Sequence, residues 1–153
     1  IGTANIVKAC QKENIKLIYF STNYVYPGKK GNYKETDPVL PINKYAISKF
    51  GGECSVQMYE NSLILRISMT EKPFMYKKGY IDLYSNYMFH EDLVKILPKL
   101  INSFGVINVG GKAMSVYSFG KLYNNKISKI KCDNKNLPLK QTMNLIKLKK
   151  IIN

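Results

Sequence analysis

Arginine occurs once in this 153-residue chain, as Arg66, histidine once, as His90, and tryptophan not at all. The single guanidinium weighs against nucleic-acid recognition, because bidentate reading of phosphates and base edges leans on arginine. The point matters because the formal charge is +14, from 24 basic and 10 acidic residues, and such a charge alone would suggest a polyanionic partner. The lysines are instead spread along the chain beside abundant Asn and Ile, as a general compositional bias produces, so no nucleic-acid partner is expected. His90 has no nucleophilic Ser or Cys elbow and no metal-ligand cluster with it, and it is expected to be structural, at a helix entrance. No metal is expected. Cysteine is scarce too: Cys10, Cys54 and Cys132 form no CxxC pair, which points to reduced thiols and a cytoplasmic location. No run approaches the ~18 apolar residues of a membrane span and no signal-peptide pattern opens the chain, so no membrane partner is expected. Neither GxGxxG nor GxxGxxG occurs. The chain opens Ile1-Gly2-Thr3 without an initiating Met and enters a helical pattern at once, so it reads as a piece of a longer protein.

What is present suffices for one folded domain: 45% hydrophobic and 12% aromatic residues can fill a core at this length. Ala4, Ile6, Val7 and Cys10 recur at helical spacing, and Asn14 ends that segment. Lys16 to Phe20 is a short apolar run suited to a buried parallel strand. Ser21, Thr22, Asn23, Tyr24, Val25, Tyr26, Pro27 and Gly28 follow it. Ligands of open α/β sheets bind at the carboxyl ends of strands, so these hydroxyls stand where chemistry would, although a Ser/Thr/Asn cluster also makes plain turns. Residues 29–42 read as a loop, Asn43 as an N-cap, and a helix is predicted from there to about Tyr59. Leu63 to Ile67 is the next strand. Two helix-then-strand units in succession predict a parallel sheet with crossover helices. Later come a helix through Leu93 and Ile101 that Pro98 should kink, with Asp92 as cap or first-turn residue. A strand at Val106 to Val109, a helix capped by Ser115 and a strand over Ile127 to Lys131 follow, and Leu145 to Ile152 mixes apolar and lysine positions.

In the helix after Asn43, Tyr45 and Lys49 are one turn apart on one face, roughly 5–6 Å between Cβ atoms. A fixed ammonium favours phenolate and draws a phenol down from its usual value of about 10, which suits proton exchange with a substrate oxygen. In a chain with twelve Tyr, chance spacing on a surface helix is the competing reading.

The ordered set decides between them. A strand ending Ser-Thr-x-Tyr-Val-Tyr-x-Gly comes first, then a loop with Tyr33, Glu35, Asp37 and Pro41. Asn-x-Tyr-x-x-Ser-Lys follows with Gly52 and Glu53, and then a strand ending Leu65-Arg66. This resembles the extended short-chain dehydrogenase/reductases, and within them the dTDP-4-dehydrorhamnose reductase branch of nucleotide-sugar enzymes. The specific motifs lie between Thr22 and Arg66. Two departures bear on the substrate: the branch usually has Asp where Asn23 stands, and an aromatic, often Trp, in the loop after Arg66. The family's amino-terminal half, with its Gly-rich pyrophosphate-binding turn, is missing.

The resemblance implies an α/β, Rossmann-like parallel sheet with crossover helices, incomplete at its amino-terminal half, plus a small carboxyl-terminal substrate-binding portion. Residues 1–67 would belong to the Rossmann-like domain. Residues 68–153 would be mainly substrate-binding, with segments around 89–110 returning to the sheet. It implies hydride transfer from NADP or NAD to a 4-keto-6-deoxy nucleotide sugar, with Thr22, Tyr45 and Lys49 catalytic and Tyr45 and Lys49 also holding the cofactor. An epimerase or epimerase/reductase shares that set, and a non-catalytic relative of the methionine adenosyltransferase regulatory subunit shares the fold. Ser21 is the alternative hydroxyl, Asn23 and Tyr24 are candidate sugar contacts, and Arg66 is expected to be a structural ion-pair partner. Tyr76, Tyr80, Tyr84 and Tyr87 lie where such enzymes build a lid, and Lys77 and Lys78 are expected at a solvated surface. A homodimer is compatible with the family. The isolated chain is expected to be inactive or nearly so, and ordinary turnover of a 4-keto sugar nucleotide with NADPH by the purified chain would contradict that.

Overall fold

The computed structural model describes residues 2–153. Its centre is β2 (Ser62–Ile67), in which every residue is buried. A strand covered on both faces needs apolar side chains in both directions, and the continuous Leu-Ile-Leu run supplies them. β2 lies between β1 (Leu17–Thr22) and β7 (Gly105–Val109), both parallel to it, in the order β1-β2-β7. The register sets Thr22 beside Ile67 and Arg66 beside both Ser21 and Asn108. On one face lie α1 (Gly2–Lys12) and α2 (Lys44–Gln57), packing Val7 and Val56 with Tyr59 on Ile64, Leu17 and Tyr19. On the other, α3 (His90–Leu100) and α5 (Ile146–Ile152) bring Leu93, Leu100 and Leu148 onto Leu63, Leu65, Ile67, Ile107 and Val109.

The expected elements of this layer are present, with shifted ends. β1 does not stop at Phe20 but carries its pairing through Ser21 and Thr22, because both have partners on β2. Asn43 caps α2, its side chain accepting a hydrogen bond from Ala46 N at 2.8 Å, and Ser115 caps α4 (Val116–Lys121) in the same way through Ser118 N. Asp92 sits in the first turn of α3, where it pairs with Lys95, and the cap position is Phe89. α3 continues through Pro98 to Leu100. In α1 only Val7 is buried, while Ile6, counted on the apolar face, is 54% exposed.

Beyond β2 the chain makes strands too short to show any periodicity: β3 (Met69–Thr70), β4 (Lys78–Tyr80), β5 (Tyr84–Ser85), β6 (Met88–Phe89) and β8 (Met114–Ser115). The expected strand at Ile127 to Lys131 is β9 (Ser128–Ile130), parallel to β4. β3 pairs with β6 and β5 with β8. A second core of Phe74, Phe89, Phe119 and Ile127 holds these pieces together. The segment before α5 then runs back across the molecule, bonding Gly28 O through Lys140 N, Tyr33 through Thr142 O and Asn144 N, and Tyr84 through Leu139 O and Gln141 N. Among the described residues, no helix is long and apolar enough to cross a membrane.

β4 lies so close to α4 that a Cβ on Gly79 would come within 2.6 Å of the Tyr117 Cα. Because the obstacle is backbone, Gly79→Ala should cost about 1–3 kcal/mol in urea unfolding, whereas an unchanged midpoint would contradict this packing.

Candidate active site

A cavity of about 460 Å³ opens at the carboxyl ends of β1 and β2, the place where parallel α/β sheets leave room for ligands. Thr22, the last residue of β1, is buried at its edge, and its Oγ1 accepts from Tyr24 N at 3.2 Å. That bond starts a short 3₁₀ turn over Asn23–Val25, which turns Tyr24 into the cavity wall. Tyr45, in the first turn of α2, meets the Tyr24 ring edge-on, with centroids 6.1 Å apart at 83°. Its side of the helix faces the cavity and it is 56% exposed. Burial pushes the Tyr24 phenol above its ordinary pKa, so at neutral pH it is a hydrogen-bond donor and acceptor without charge.

The other expected residues are placed differently. Asn23 borders the cavity, yet its Nδ2 is already committed, donating to Ser85 Oγ and Gln141 Oε1 at 2.8 Å each and to Gln141 O at 3.3 Å. Ser85 in turn shares a hydrogen bond of 2.6 Å with Ser68. Lys49 is half-buried and does not reach the cavity wall. Its ammonium lies 4.5 Å from the centroid of the Tyr19 ring, and the Tyr19 hydroxyl donates to the Lys49 carbonyl at 3.1 Å. Burial draws the Lys49 pKa down, opposed by the Glu53 carboxylate. The structure therefore gathers Thr22, Tyr24 and Tyr45 at the cavity and leaves the Lys49 ammonium one helical turn away.

Ser21, the alternative hydroxyl, borders the cavity but donates its proton to Glu53 Oε1 at 2.5 Å. Glu53 is fully buried and takes the Arg66 guanidinium through Nε at 3.1 and 3.2 Å and Nη2 at 2.8 Å. Arg66 is thus the structural ion-pair partner, and its remaining nitrogen donates to Tyr26 Oη at 2.9 Å and to Glu35 O at 3.2 Å. Of Tyr76, Tyr80, Tyr84 and Tyr87, three line the cavity, whereas Tyr84 pairs with Ser115 in the β5–β8 ladder. Burial raises the Tyr87 phenol pKa strongly. His90 stands at the expected helix entrance and is also on the cavity wall, as is Lys78. Ser68, Ser85 and Gln141 were not legible as site residues, since isolated polar residues in irregular segments carry no spacing signal. Glu53 had one: it follows Lys49 by four residues on a helix, directly after Gly52.

A three-strand parallel sheet with crossover helices, a Ser-Thr strand end and a Tyr-x-x-x-Lys helix opposite it define a Rossmann-like protein of the short-chain dehydrogenase/reductase class. The profile of the RmlD substrate-binding domain matches residues 1–84, and the chain belongs to that family. It is 39% identical over 71 residues to a probable low-salt glycan biosynthesis reductase of Haloferax volcanii, covering 44% of this chain and 24% of that protein. It is 38% identical over 71 residues to the dTDP-4-dehydrorhamnose reductase of Aggregatibacter actinomycetemcomitans, covering 45% and 24%. The dTDP-4-dehydrorhamnose reductase of Bacillus anthracis, solved in complex with NADP, shares the fold: the TM-score is 0.84 at 23% identity, covering 97% of this chain and 62% of that one. The chain thus spans about a quarter of the curated relatives it matches.

Replacing Glu53 by Gln leaves the Arg66 guanidinium buried without its counter-charge. Glu53→Gln should lower unfolding stability by about 3–5 kcal/mol, and the apolar pair Glu53→Leu with Arg66→Met should recover most of it. Equal losses in the single and paired variants would show that the ion pair is not the relevant term.

Proposed function

We propose that this chain is the proton-transfer and substrate side of an NADP- or NAD-dependent reductase acting on a 4-keto-6-deoxy nucleotide sugar, as in dTDP-rhamnose biosynthesis. The observation that carries the reading is the convergence of Thr22, Tyr24 and Tyr45 on a cavity at the strand ends of a chain of this family. When bound, the nicotinamide dinucleotide supplies the hydride that turns the keto carbon into an alcohol carbon. The residues present fit the nicotinamide-ribose end of that group: Tyr45 is an exposed phenol, and Lys49 makes no ion pair among the described residues. They offer no Gly-rich strand–turn–helix for its pyrophosphate.

Tyr45 delivers a proton to the carbonyl oxygen as negative charge grows there. Thr22 orients that oxygen with a hydroxyl held at the end of β1. The Lys49 ammonium, one turn further along α2, would offset the charge left on Tyr45 and would hold the nicotinamide ribose. Tyr24 walls the sugar, and Asn23 acts on it through the turn it holds and not by a free donor. Residues 1–67 supply the Rossmann-like part and 68–153 mainly the substrate side, with β7 returning to the sheet. Three free thiols support a cytoplasmic location. An exposed, uncharged stripe formed by Ile47, Gly51 and Cys54 of α2 and its C-cap Met58 supports a homodimer.

In a protein that includes an amino-terminal half, Tyr45→Phe should reduce kcat by about 10²-fold or more while dinucleotide affinity falls by far less, since Lys49 remains. Undiminished turnover by that variant would overturn the proton-donor role.

A further inference from the structure

Beneath α2 lies a contact that none of the roles above uses. Tyr19, third residue of β1, points at the helix face that carries Lys49. We propose that Tyr19 is the positioning residue for Lys49, holding its backbone through the phenolic hydroxyl and its ammonium through the ring face. This rests on the reading of Lys49 as the cation of the site.

Three independent features meet at this ring. First, the hydroxyl donates to the Lys49 carbonyl at 3.1 Å, and a carbonyl already engaged within a helix keeps a second lone pair for such a bond. Secondly, the ammonium stands 4.5 Å from the ring centroid, within the range in which the aromatic quadrupole attracts a cation. Thirdly, the phenol fits under α2 only because residue 52 is glycine: a Cβ there would overlap the Tyr19 hydroxyl and lie 2.6 Å from its Cζ. A mid-helix glycine is unfavourable unless something needs the space, and the Tyr19 ring is what occupies it.

The surroundings leave the ring as the principal partner of the ammonium. Glu53, one turn further along α2, raises the Lys49 pKa, but its oxygens are bound by Ser21 and Arg66. Thr3 on α1 and, less strongly, Tyr45 on α2 are the other polar groups that act on the Tyr19 phenol. Burial together with Glu53 holds the Tyr19 phenol above its ordinary pKa, so it remains a donor at neutral pH. A long, flexible lysine chain is thereby tied at both ends, which reduces the rotamers it must give up when it works.

The test is NMR of the isotope-labelled chain, with Lys49 side-chain signals assigned by their loss in Lys49→Gln. In the wild type, the Lys49 δ- and ε-methylene protons should be shifted upfield by the Tyr19 ring current. Tyr19→Leu should return them to ordinary lysine positions and lower the Lys49 titration midpoint by about half a pH unit, since apolar cover stays while the attractive face is lost. Tyr19→Phe should restore both. Unshifted methylene signals in the wild type would overturn the proposal even if Tyr19→Leu fails to fold, as would a midpoint that Tyr19→Leu leaves unmoved. No dinucleotide or sugar enters the measurement, so its outcome is separate from that of the Tyr45→Phe turnover experiment.

Discussion

A guanidinium and a carboxylate, both out of water, hold the helix of the site against the sheet. Arg66 on β2 and Glu53 on α2 meet through Nε and Nη2, with Ser21 of β1 as a further donor to the same carboxylate. Taking either charge out of water alone would cost several kcal/mol, so the sheet and α2 can close only with both partners in register. The network continues outward: Arg66 donates to Tyr26 Oη, which donates to Asn108 Oδ1, and Asn108 N donates to Glu35. One ion pair thus ties together β1, β2, β7, α2 and the loop before α2.

Its consequence for chemistry is geometric. Tyr45, Lys49 and Glu53 follow one another at four-residue steps on α2, so anchoring Glu53 sets both the height and the rotation of the other two. Anchoring also divides the two hydroxyls at the end of β1. Ser21 is consumed by the carboxylate, and Thr22, facing the other way on the strand, is left at the cavity. Tyr45 stands at the cavity, and Lys49 and Glu53 follow it along the same stripe of α2, with the Tyr19 ring of β1 beneath Lys49.

The parallel layer was legible because its signals are long or local: continuous apolar runs for β1 and β2, an Asn cap for α2, a Ser cap for α4. The pairing of Thr22 with Tyr45 followed from motif order, and the cavity contains both. Four-residue spacing sets the Cβ atoms of Tyr45 and Lys49 on one face but does not fix the end of a four-carbon side chain, and the Lys49 ammonium lies over the Tyr19 ring. Asn23 looked like a free sugar contact because its partners, Ser85 and Gln141, lie 62 and 118 residues away. The same limit hid the second half: strands of two or three residues are created by tertiary contact and have no pattern of their own. Tyr84 is off the wall, its backbone paired with Ser115 in the β5–β8 ladder and bonded to Leu139 and Gln141, and no sequence spacing announces those partners.

The proposed reaction is reduction at the keto carbon, with the proton coming from this chain. The most direct measurement is product analysis after reaction of a protein containing both halves with a 4-keto-6-deoxy nucleotide sugar and NADPH deuterated at the transferred position. One deuterium is expected, on carbon 4 of a 6-deoxy sugar product. A product that carries no deuterium but has inverted a neighbouring carbon would contradict it.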